Sequence, residues 1–132
     1  MHPLYKQAWI QACEVAFELG DQDQIEDLLA EIEQLPPSER TPRLLAQESR
    51  FRGRLFALRG DHDGAEHLLA RAVDALRALQ TPYSLAMALV EQAELGVDDP
   101  APLLAEAREI FERLGAKPWL ERVDAAERAV AV

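Results

Sequence analysis

Few side chains in this 132-residue chain are of types that do chemistry, and their spacing limits what each is able to do. His62, Asp63, Glu66 and His67 fall within one short stretch. A metal site on a single helix wants histidines one turn apart, as in HExxH, so that both rings leave the same face. The two histidines here are five residues apart, about 140° around an α-helix. Capping of a helix by His62 and Asp63, with Glu66 near its positive N-terminal end, accounts for them more simply. Cys13 is the one cysteine; it stands at a small-residue packing position, and no histidine with an orienting acid accompanies it. It reads as a packing thiol rather than a nucleophile. Acid pairs such as Glu14/Glu18 and Asp23/Asp27 are what 24 acidic residues produce by chance, and none is tied to a pocket. The six glycines form neither GxGxxG nor a phosphate loop. No cofactor and no metal are expected, and no nucleophile–base pair supports an enzyme.

Charge is the more informative signal. The net charge of −10 opposes a generic nucleic-acid binder, which needs a basic surface. Its distribution is uneven. Residues 1–39 hold nine acids and one base, a net −8. Residues 40–59 hold six arginines against Glu48, a net +5, and residues 60–132 return to −7. The arginine stripe has two readings. Arg50 and Arg54 lie one turn apart and face the same way, so that two guanidinium forks clamp a carboxylate or phosphate of a partner. Alternatively the stripe neutralises adjacent acidic helices, with Glu14, Glu18 or Glu94 as partners.

These residues need a scaffold, and the composition points to helices. Hydrophobic residues make up 48% of the chain, Ala (22) and Leu (20) dominate, and aromatics are only 6%. That mixture favours helix and disfavours a β-sandwich or barrel. Apolar residues recur at three- and four-residue steps over about 4–19, 22–35, 42–59, 62–79, 82–95, 100–114 and 117–131. Gly20-Asp21, Gly60-Asp61, Gly96 and Gly115 stop four of these segments, and Pro36-Pro37 stops another. Thr41-Pro42 and Thr81-Pro82 read as N-cap followed by proline, and Asp98-Asp99-Pro100 as an acidic cap. No apolar run reaches the length of a membrane span. The start Met1-His2-Pro3-Leu4 has no basic and apolar leader pattern, and a single thiol does not point to an oxidising compartment. The expected location is the cytoplasm.

The segments repeat. Leu68-Leu69-Ala70-Arg71-Ala72 lies over Leu103-Leu104-Ala105-Glu106-Ala107 at an offset of 35. Such a period in helix–turn–helix units marks a helical solenoid, in which each hairpin covers the apolar stripe its neighbour leaves bare. The expected fold is all-α: about seven antiparallel helices, arranged as one domain of three hairpins (about 4–37, 42–80 and 82–115) plus a terminal helix.

In the middle hairpin Gly53, Phe56, Gly60, Ala65, Leu69 and Ala72 stand at small, aromatic, turn-glycine, small, bulky and small positions. With them the chain resembles the tetratricopeptide repeat family. The first repeat is degenerate, with Ile25 and Ile32 at small positions. The third carries a polar residue, Glu91 or Gln92, at the aromatic one. Residues 51–128 are also similar to the C-terminal repeat tails of bacterial ATPase-containing regulators of the MalT/LuxR type and of ATPase-linked nucleotide cyclases. The resemblance implies a non-enzymatic protein- or peptide-binding module in a signalling or transcription-regulatory setting. Its concave groove would carry Gln47, Arg50, Arg54 and Tyr83 toward a partner with acidic groups. The alternative is a small-ligand sensor regulating an attached ATPase, cyclase or transcription regulator. The last helix carries an apolar face of Trp119, Leu120, Val123 and Val130. It either folds over the end or pairs with a second copy in a homodimer. Neither nucleic acid nor membrane is an expected partner.

Overall fold

A computed structural model describes residues 3–131 of the chain; Met1, His2 and Val132 lie outside the described residues. Among the described residues there are seven α-helices and no strand: α1 (Pro3–Leu19), α2 (Gln22–Glu33), α3 (Pro42–Leu58), α4 (His62–Ala78), α5 (Pro82–Glu94), α6 (Ala101–Leu114) and α7 (Lys117–Ala131). The chain is all-α, and no described helix is long and apolar enough to cross a membrane.

The helix boundaries follow local chemistry. Gly20 and Gly60 both adopt a left-handed φ (67° and 81°), a conformation open to glycine because it lacks a Cβ. The aspartate after each glycine caps the next helix: Asp21 accepts from the Gln24 amide and Asp61 from the Gly64 amide. Asp61 therefore fills the cap position expected for His62 and Asp63, which lie exposed in the first turn of α4. Thr41 caps α3 as expected, accepting from the Leu44 amide. Thr81 does not cap α5; its hydroxyl donates to the Leu76 carbonyl and so tethers the turn to the end of α4. Asp98 and Asp99 do not cap α6 either, because Pro100 holds the N-cap position and no side chain bonds there. After Pro36 the chain makes one 3₁₀ turn, Pro37–Glu39, before α3. Arg40 holds that turn by donating to the Leu35 and Glu33 carbonyls.

Helices adjacent in sequence pack together throughout, and α7 lies on both α5 and α6. The tightest approach is between α3 and α4. A Cβ on Gly53 would meet the Leu69 side chain at 3.0 Å and the Ala65 carbonyl oxygen at 3.3 Å. Gly53, Ala65, Leu69 and Ala72, the small and bulky residues of the middle hairpin, are all buried. Two apolar clusters form. One gathers Trp9, Cys13, Ile25, Leu29, Ile32 and Phe51 from α1, α2 and α3. The other gathers Val73, Leu85, Leu89, Leu104, Phe111 and Val123 from α4 to α7. α3 takes part in both, giving Leu44, Phe51 and Leu55 to the first and Ala46 to the second. On α7, Val123 is fully buried and Trp119 stacks on Phe111, whereas Val130 stays half exposed.

Candidate functional site

The most unusual feature of the interior is a charge. Arg50, on α3 between the two apolar clusters, is 0% exposed. A buried guanidinium must be both paired and hydrogen-bonded to be tolerated. Its Nε donates to Glu91 Oε1 at 2.6 Å and its Nη2 to Glu91 Oε2 at 2.9 Å, a two-pronged grip on a carboxylate from α5. Nη2 also donates to Glu14 Oε1 of α1 at 2.8 Å, and Nη1 to Gln47 Oε1 at 3.1 Å. Burial alone would favour the neutral guanidine, but Glu91 and Glu14 outweigh it and hold Arg50 more firmly charged than usual.

Arg54, one turn on, joins the same group. It reaches Glu14 and Glu91, each at 3.1 Å, and lays its guanidinium 4.1 Å from the Phe17 ring centroid. Two arginines of α3 thus share two glutamates from α1 and α5. Of the readings for the arginine stripe, the internal one describes this arrangement. Glu14 was among the expected partners; Glu18 and Glu94 are not involved, and Glu94 pairs with Arg122 instead. Arg50 has no exposed atom with which to meet a partner, and Arg54 lines a recess beside Phe17, Leu58, Glu91 and Arg122. Arg52 and Arg59 face the other way and pair with Glu33 and Glu26 on α2.

Gln47 belongs to the same group and extends it toward the surface, its amide donating to Ser84 Oγ on α5 at 3.2 Å. Tyr83 is not brought to this group. It is 44% exposed and sets its ring edge against Phe111 of α6, with centroids 5.8 Å apart. Sequence reasoning passed over the residues beside Gln47. Lys6 and Gln7 of α1, Arg43 of α3 and Ser84 of α5 line an open cavity of about 310 Å³. Burial and the nearby Arg43 charge, in that order, hold the Lys6 ammonium below its ordinary range. Among the described residues neither Lys6 nor Arg43 forms an ion pair. In the sequence Lys6 stands out as the one base in residues 1–39 and Arg43 as the first stripe arginine within α3, but no local spacing joins the two.

Cys13 is fully buried, and burial, the leading cause, pushes its thiol up to about 12, so it is held as an unreactive thiol. Among the described residues no three His, Cys, Asp or Glu side chains come together as a metal-binding group. No protein-family model, curated protein or solved structure matches the chain.

Proposed function

We propose that the chain is a non-enzymatic helical-repeat module that binds acidic segments of a protein partner. The surface it uses is formed by the first helix of each hairpin: α1, α3 and α5. The observation that carries this reading is the cavity shared by Lys6 and Arg43, two cations from different helices with no carboxylate between them. Lys6 is partly buried and Arg43 beside it is exposed; holding the two like charges together is unfavourable, and a bound carboxylate or phosphate relieves it. Gln47 and Ser84 add polar groups from α3 and α5. Arg50 and Glu91 then act as positioning residues that hold the three helices in register beneath the groove. Arg54 contributes to the groove's other end.

The repeat reading is supported by the matched Gly20-Asp21 and Gly60-Asp61 turns, the pairwise packing of successive helices and the small residues between α3 and α4. On the similarity of residues 51–128 to bacterial regulator tails, the setting is a signalling or transcription-regulatory protein, with the cytoplasm as its expected location. A small-ligand sensor is the second reading, and its best site is a depression of about 520 Å³ lined by Ala93, Val97, Ala126 and Val130, far from the cations.

The test is a peptide array that varies acidic content, probed with the wild-type chain and with Lys6→Ala/Arg43→Ala. Binding enriched in Asp- and Glu-containing peptides, weakened about tenfold or more in the double variant, is expected. Acidic peptides that bind both proteins equally would overturn the reading.

A further inference from the structure

A second surface lies at the opposite side of α1. Tyr5, Ala8, Ala12, Val15 and Leu19 follow one another at steps of three, four, three and four residues. None of them is fully buried; Tyr5, Val15 and Leu19 are 60%, 50% and 76% exposed. This stripe runs alongside the face of α1 that carries Trp9, Cys13 and Ala16 into the core; Ala12 also packs against that core, and Tyr5, Val15 and Leu19 stay outside it. Its spacing is that of a helix prepared to pack against another helix along about 20 Å of its length. Beside it, Ala12, Val15 and Leu19 form an open groove of about 330 Å³ with Asp21 and Gln24 at the start of α2.

The rims of the groove are acidic. Glu18 borders the stripe on α1. Asp21 stands at the head of α2, and Asp27 and Glu31 follow Gln24 at three- and four-residue steps along the same edge. Glu31 is close enough to α1 for its charge to act on the Cys13 thiol. The other α2 glutamates, Glu26 and Glu33, are engaged by Arg59 and Arg52 on the α3 side. Glu18, Asp27 and Glu31 form no ion pair among the described residues; Asp21 forms none either, but its carboxylate already accepts the Gln24 amide as the cap of α2.

We infer that this groove docks a basic amphipathic helix of a partner protein. The apolar stripe supplies the floor, its helical period selects a helix over an extended strand, and the unpaired acids select lysine and arginine flanks. A second copy of the chain is the wrong occupant. Its one basic segment, α3, is not a free helix: it packs on α1, α2 and α4, its Arg50 and Arg54 turn inward, and its Arg43 lines the Lys6 cavity; pairing two α1 stripes would bring the acidic rims of both copies together. This surface is independent of the Lys6–Arg43 cavity, and its chemistry is the reverse.

The test uses the full chain and a synthetic helix of about 18 residues with Leu on one face and Lys on the other. A scrambled peptide of identical composition and a Leu–Glu helix serve as comparisons, with fluorescence anisotropy as the readout. The Leu–Lys helix should bind, and the scrambled peptide should bind about tenfold more weakly or worse. Val15→Gln/Leu19→Gln and Asp27→Lys/Glu31→Lys should each weaken the Leu–Lys helix by about tenfold. Glu66→Lys/Asp74→Lys on α4 should leave it unchanged. All six positions are exposed, so thermal melts of the variants should stay close to wild type. Equal binding of the scrambled peptide, insensitivity to either groove variant, or binding of the Leu–Glu helix overturns the inference. So does self-association that is lost in Val15→Gln/Leu19→Gln, which would assign the face to a second copy.

Discussion

Arg50 and Glu91 set the terms for the rest of the molecule. A buried ion pair adds little net stability against an apolar pair of the same size, but losing one partner strands the other charge. Glu91→Gln should therefore lower the unfolding free energy by about 3 kcal/mol in urea titrations, while Arg50→Met/Glu91→Met should recover most of the loss. In the sequence Glu91 is visible only as a misfit, a polar residue where the repeat pattern wants an aromatic. Its partner was not legible, because Arg50 and Arg54 had several acids to choose from and no spacing rule joins residues 41 positions apart. The burial of Arg50 was equally hidden, since arginine on a helix is ordinarily read as solvated. Glu48 offers a pH test. Burial, the leading cause, raises its pKa, with Arg52 acting in the opposite sense. A carboxyl whose native pKa lies above its unfolded value takes stability away as pH rises through that native value. Glu48→Gln should thus melt at a higher temperature than wild type at pH 7. The advantage should shrink as pH falls toward the ordinary carboxylate range and vanish below it.

Among the elements, the turns show where local rules suffice. Glycine followed by aspartate predicted the ends of α1 and α3 and the starts of α2 and α4, because a left-handed residue and a cap are both local requirements. The rule fails at the end of α4, where no glycine is present and Gln80 takes φ 55° instead. An L-residue in that region costs about 1 kcal/mol. Gln80→Gly should raise the urea midpoint by a corresponding amount with no change in far-ultraviolet circular dichroism. Thr81 shows the limit of cap signals. Thr81-Pro82 has the same sequence form as Thr41-Pro42, yet the Thr81 hydroxyl turns back to Leu76. Which carbonyl lies within reach depends on the tertiary path of the preceding turn, and no dipeptide encodes it.

Across the whole molecule, α3 stands between two apolar clusters and carries the charged bridge from α1 to α5. The all-α architecture was legible because seven periodic segments and their breakers were each local. The candidate site was legible only in part: Gln47, Arg50 and Arg54 do come together, Tyr83 goes to α6, and Lys6 with Arg43 emerges only once α1 is laid beside α3. The central claim is that acidic segments dock where the N-terminal turns of α1, α3 and α5 meet. Backbone amide shift mapping by NMR, with the tightest-binding acidic peptide titrated into the labelled chain, tests it most directly. The account predicts perturbations concentrated around Lys6–Ile10, Arg43–Gln47 and Thr81–Ser84. Perturbations centred instead on the α2, α4 or α6 surfaces, or on the depression beside α7, would contradict it.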